Sequence, residues 1–155
     1  MSNAYSVETV RRIALEAFQA QYPTLSGSLG GLVTSLPNLV VRLDRPGTYF
    51  LIGISDSAGL RGIVQLDGLS LAVESTAIIR DPQSSFLLSE QEALQTVKAA
   101  FPQKSGWHDA FLGWRPCRES FDSMRPLWVL PYSDGEVYVT QNREGVEQLT
   151  IGRGG

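Results

Sequence analysis

The sequence predicts an α+β fold: a helix followed by antiparallel strands occurs twice, and the two repeats pack as one compact unit. Three observations predict it. A helix-like run closes on Tyr22-Pro23 and another on Phe101-Pro102; at that spacing of 79, Ala14, Leu15 and Phe18 fall on Ala93, Leu94 and Val97. The apolar run Tyr49 to Asp56 falls on Leu127 to Asp134 at a spacing of 78. The run Ile63 to Asp67 lies 75 residues before Tyr138 to Asn142, and Gly68 lies 77 before Gly145, so the second turn is longer by two residues. Similarity at a fixed period points to a repeated supersecondary unit. It divides the chain into repeats at 1–80 and 84–155.

In the first repeat, Val7, Val10, Ala14, Ala17/Phe18 and Gln21/Tyr22 recur at three- and four-residue steps, an amphipathic helix from Val7 to Gln21. Ser6 is its N-cap and Pro23 its stop. Ser26-Gly27-Ser28-Leu29-Gly30-Gly31 is a loop by composition. From Leu36 to Leu43, Leu39, Val41 and Leu43 alternate with Val40 and Arg42, the period of a strand. Asp44-Arg45-Pro46-Gly47 is turn chemistry. Tyr49 to Ser55, apolar on both faces, reads as a central strand, with Gly62 to Leu66 the next after a turn at Asp56-Ser57-Ala58-Gly59. Asp67-Gly68 predicts a hairpin into a strand from Leu69 to Glu74.

Asp81 to Ser85 reads as the linker. Ser89 with Glu92 forms a capping box that opens a helix from Glu90 to Ala100. Strands are predicted at Ala110 to Arg115, Pro126 to Tyr132, Glu136 to Gln141 and Val146 to Ile151, with turns at Asp134-Gly135 and Arg143-Glu144-Gly145 and a frayed Gly152 to Gly155. Helix then meander, twice, is an α+β pattern. The exposed sheet edges of such repeats allow pairing within the chain or into a homodimer.

The 155 residues are enough to bury roughly 70% of the unfolded surface. A net charge of −3 with scattered arginines lacks the concentrated basic footprint that nucleic acid needs. The longest apolar runs, such as Tyr49 to Ile54, are too short to span a bilayer. One cysteine, Cys117, leaves no internal disulfide and agrees with a reducing compartment. With no apolar segment behind a basic start, the expectation is a cytoplasmic protein with neither nucleic acid nor membrane as partner.

The second repeat resembles the PepSY-like group. The likeness runs through Ser89-Glu90-Gln91-Glu92-Ala93-Leu94, Ala99-Ala100-Phe101-Pro102, Pro126-Leu127-Trp128 and Gly135-Glu136-Val137-Tyr138-Val139, with Asp134-Gly135 and Gly145 at the group's hairpin positions. These pieces cover about half of residues 89–151 and are short, generic motifs. The resemblance implies a cystatin-like arrangement, one helix across an antiparallel sheet, and a role in binding or inhibition. Small helix-meander domains of similar pattern also occur among bacterial immunity proteins. The chain departs from typical PepSY proteins in showing no export signal.

Several residues are of types able to carry chemistry. His108 beside Asp109, with Cys117 nine residues on, has the composition of a nucleophilic set. Neighbours in an extended segment point to opposite faces, however, so Asp109 cannot orient the ring. Zinc asks for several His or Cys ligands, and the chain has one of each. Asp56, Asp67, Asp134 and Glu136 show no EF-hand spacing and read as turn residues. Glu8, Glu16, Asp81, Glu90, Glu92, Glu119 and Asp122 fall at helix starts, exposed faces or loops, with nothing to mark a catalytic pair. Ser26 to Gly31 lacks the Lys-Ser/Thr of a phosphate loop. The reading is non-enzymatic, with no cofactor and no metal.

Trp107, Phe111, Trp114, Phe121 and Trp128 crowd a 22-residue window. Exposed together, such residues act as hot spots; as core, Trp128 and Phe111 would fill a small sheet. The sequence therefore predicts a module that binds a protein or peptide, as an inhibitor or immunity-type factor. Its surface is placed at Trp107, Phe111 and Trp114, rimmed by Arg118 and Arg125 of the loop from Pro116 to Arg125. The alternative is a small-molecule pocket between helix and sheet, lined by Phe50, Ile54 and Trp128.

Overall fold

The computed structural model describes residues 5–24, 31–83 and 86–152. The expected loop at 26–30, the end of the linker at 84–85 and the tail at 153–155 lie outside the described residues. Strand content is 38% and helix 20%: nine strands of mixed sheet and two helices among the described residues. The α+β content stands, but the division into two helix-plus-antiparallel-sheet repeats forming one compact unit does not. The chain forms two compact units, residues 1–39 with 47–86 and residues 40–46 with 87–155. A segment from the first half of the sequence thus belongs to the second unit.

In the first unit, α1 (Val7–Gln21) is capped by Ser6, whose hydroxyl accepts from the Thr9 N–H at 3.1 Å, and ends at Tyr22, whose N–H reaches Phe18 O at 2.9 Å. The predicted stripe is the buried one: Val10, Ala14 and Phe18 are 0–1% exposed. They pack on Phe50, Ile52, Ile54, Val64, Leu66 and Leu71. Each large side chain buried this way contributes about 1.5–3 kcal/mol. The strands beneath are β1 (Val33–Thr34), β3 (Thr48–Asp56), β4 (Gly59–Asp67) and β5 (Val73–Gln83); β2 (Asn38–Arg42) comes before β3 in the chain, with its residues 40–42 in the second unit. The β3-β4-β5 ladder is antiparallel, and β1 pairs antiparallel with β3. Arg11 ties the helix to β1 through the hydroxyl and carbonyl of Thr34, at 2.7 and 2.9 Å.

Gly62 lets the helix approach. A Cβ there would overlap the Phe18 ring and lie 2.8 Å from the Ala77 carbonyl. The β4-β5 connection is longer than the expected Asp67-Gly68 hairpin into a strand from Leu69 allows. The Asp67 carboxylate accepts from Leu69 N, Ser70 N and the Ser70 hydroxyl, and Leu71 takes a positive φ of 61°. The strand therefore begins at Val73. It also runs on through Asp81-Pro82-Gln83, where a linker is expected. A register shift, from Gly62↔Ile78 to Leu60↔Gln83, places Pro82 in a bulge, where a residue without an N–H costs no ladder bond.

In the second unit, α2 (Glu90–Ala100) opens on the predicted capping box, with Ser89 Oγ accepting from Glu92 N at 3.1 Å and Glu92 Oε1 from Ser89 N at 3.2 Å. It lies on β7 (Leu127–Tyr132), β8 (Gly135–Val139) and β9 (Gly145–Val146). Ala93 and Val97 pack with Leu88, Leu130, Val137 and Val139. β6 (Phe111–Trp114) pairs antiparallel with β7 and parallel with the end of β2, Val40↔Leu112 through Arg42↔Trp114. That parallel pairing overturns the all-antiparallel expectation. Antiparallel neighbours announce themselves through short turns, whereas parallel ones come from distant sequence and leave no local signature. β9 is only two residues long; the expected strand to Ile151 becomes an irregular tail.

Candidate functional site

The loop after β6 folds tightly upon Ser120. Cys117 and Ser120 exchange backbone hydrogen bonds of 3.4 and 3.2 Å, which puts Arg118 and Glu119 at a two-residue tip. The Ser120 hydroxyl accepts from Trp114 Nε1 at 3.2 Å and lies 2.6 Å from the Arg125 carbonyl, to which it donates. Asp122 closes the far side, its carboxylate accepting from Met124 N at 2.9 Å and its carbonyl from Arg125 N at 2.9 Å. The tail is laced to this loop: Arg118 N donates to Thr150 O at 2.9 Å, and Glu119 accepts from the Thr150 N–H at 2.9 Å and hydroxyl at 2.7 Å. Burial alone would raise the Glu119 pKa; the Thr150 bonds, together with the Glu119 backbone and the Arg118 charge, outweigh it and hold the carboxyl below its ordinary range.

A cleft of about 500 Å³ opens between loop and tail, lined by Asp44, Arg115, Pro116, Cys117, Arg118, Phe121, Thr150, Ile151 and Gly152. A second, of about 260 Å³, lies beside Glu119 to Asp122, Arg125 and Thr140 to Asn142. Phe121 lines both and is 82% exposed. Ile151, at 44% exposure, adds a second apolar wall. Arg115 is half-buried, and its Nε is buried with no hydrogen-bond partner among the described residues. Arg118 is exposed at the loop tip.

The five expected surface residues separate. Arg118 lines the first cleft; Arg125 lines the second and donates to Asn142 Oδ1 at 2.8 Å. Trp107 packs on the α2 core and against Tyr132, with ring centroids 5.4 Å apart. Phe111 is half-buried within β6, and Trp114 is anchored to Ser120. Phe111 and Trp114 are three apart on one strand and so point to opposite sheet faces. None of these three aromatic residues lines either cleft. Arg115, Ile151 and Asp44 are not marked by the sequence, and Phe121, counted in the aromatic window, is left out of the expected surface. One sign pointed to Phe121: it is the lone aromatic between Glu119-Ser120 and Asp122 in a polar loop.

Cys117 forms the cleft floor at 4% exposure, and its thiol donates to Ser120 O at 3.6 Å. Burial pushes its pKa up, away from a reactive thiolate. His108 is exposed, its backbone N–H bonded to Pro131 O, and no hydrogen bond joins its side chain to Cys117. Among the described residues no three His, Cys, Asp or Glu side chains group closely enough to hold a metal. No described helix is long and apolar enough to cross a membrane. Phe50 and Ile54, expected in a ligand pocket, are 6% and 0% exposed within the α1 core, while Trp128 bonds through Nε1 to Leu88 O at 2.7 Å in the other unit.

No family model matches the chain. No curated protein matches it. Among solved structures, it is similar to a candidate lipoprotein from Clostridium difficile 630, at 10% identity and a TM-score of 0.27, over 89% of this chain and 88% of that one. A likeness at that TM-score carries no argument about fold or function.

Proposed function

We propose that this protein is a non-catalytic binding module that recognises a protein or peptide partner through the loop from Arg115 to Arg125. The observation that carries the reading is Phe121: a large aromatic ring, 82% exposed, on a loop fixed by the Ser120 and Asp122 hydrogen bonds. An aromatic side chain held out on a rigid platform loses little entropy on contact, which is why such residues dominate binding surfaces. Arg118 and Arg125 flank it, one beside each cleft. A small-molecule reading has one observation in its favour: a cleft of about 500 Å³ falls in the size range of ligand sites.

The test is selection of binders from a displayed random-peptide library, with affinities then measured by fluorescence anisotropy. Phe121→Ala is expected to weaken the selected peptides by about thirtyfold, the order of a 2 kcal/mol hot spot, with the thermal melt unchanged. Peptides that bind wild type and Phe121→Ala alike would remove the surface from this loop.

A further inference from the structure

We propose that the cleft between Asp44, Arg115 to Arg118, Phe121 and Thr150 to Gly152 captures the C-terminal carboxylate of an extended peptide whose last side chain is apolar. The inference rests on the peptide-binding reading and adds which end of the peptide enters and what recognises it. Three features converge on that chemistry.

The first is charge. Two guanidinium groups, Arg115 and Arg118, line the cleft with one carboxylate, Asp44, while the neighbouring Glu119 carboxylate is taken up by Thr150. Neither arginine is ion-paired with Asp44, although all three line the same space. The second is an unmet donor. Arg115 Nε is buried without an acceptor among the described residues. A buried cationic N–H left unmatched is costly, and a carboxylate is the acceptor whose fork geometry matches a guanidinium. The third is the wall. Phe121 and Ile151 are exposed apolar side chains on the same cleft, with Pro116 beside them. They suit a hydrophobic side chain carried by the carbon next to the carboxylate. Asp44 is then free to accept from a peptide N–H near the terminus.

A free aliphatic acid shares the anion and the apolar group but brings no peptide N–H, so the two sources can be separated. The experiment titrates the full chain with fluorescein-labelled octapeptides ending in Leu or Phe, each as free acid and as C-terminal amide, with octanoate as competitor. The free acids are expected to bind at least tenfold tighter than the amides, the scale of a charge-assisted hydrogen bond. Arg118→Gln and Arg115→Gln should each abolish most of that preference, and Arg115→Lys should restore part of it. Arg118 is exposed, so its variant keeps the test decisive if the Arg115 variant unfolds.

Equal affinity of acid and amide overturns the carboxylate inference. If that binding still needs Phe121, the peptide reading survives without it. Octanoate matching the octapeptide acids overturns the peptide terminus as the occupant and favours a small carboxylate ligand. No binding by any of these probes overturns the inference outright, while library-selected peptides that need Phe121 would leave the broader reading standing.

Discussion

Cys117 and Phe121 stand four residues apart on one loop and meet opposite environments: the thiol is 4% exposed, the ring 82%. Ser120 makes the difference. Its backbone pairs with Cys117 and turns that side chain inward, while its hydroxyl, held by Trp114 and Arg125, leaves the next residue facing out. The thiol's pKa is raised chiefly by burial, so at neutral pH it stays protonated and poorly nucleophilic. We expect native Cys117 to react with iodoacetamide at least tenfold more slowly than in urea-unfolded chain, followed by mass spectrometry; equal rates would mean the loop opens freely. Residue-scale chemistry was only partly readable beforehand. Composition weakens a metal or catalytic reading, because one histidine and one cysteine offer little to assemble. It does not say which aromatic ring is exposed, since exposure depends on packing partners remote in sequence.

At the scale of elements, both helices were legible from end to end. Three-and-four spacing marks the buried stripe, and Ser6 and Ser89 supply side-chain acceptors for orphan N–H groups at the two N-termini. Strand ends were less legible, because a hairpin such as Asp67 to Ala72 is set by side-chain capping of its own backbone rather than by a fixed length. Gly62 shows how strand and helix constrain each other. A methyl group there meets the Phe18 ring on one side and the Ala77 carbonyl on the other. Gly62→Ala is predicted to destabilise the protein by about 1–3 kcal/mol, the usual cost of overpacking, read from urea denaturation. Pairing it with Phe18→Leu should recover part of the loss. A wild-type midpoint for Gly62→Ala would show that the helix is not seated on β4 as described.

For the whole molecule, the decisive feature is that residues 40–46 belong to the unit otherwise built from 87–155. Val40 is fully buried there, opposite Leu112, and Leu43 N donates to Trp114 O at 2.9 Å. Gly113 lies where a Cβ would come within 2.9 Å of the Leu43 side chain, so the two segments are closely fitted. The same segment supplies Asp44 to the cleft. A fragment of residues 87–155 should therefore lack a cooperative thermal transition by circular dichroism. Joining residues 38–46 to its N-terminus through a flexible linker should restore one. Cooperative melting of the shorter fragment would mean that β6 needs no partner from the first half.

The sequence by itself determined the two helices with their caps, most of the strands and the α+β content. Those features rest on local periodicity and on side chains that act within four residues of themselves. Only the tertiary structure decided that β2 runs parallel to β6, that the units cross the midpoint of the chain, and that Phe121 rather than Trp107 stands free. Such choices depend on which distant backbone edge is available to pair and which distant side chains cover a ring, and no short-range pattern records either.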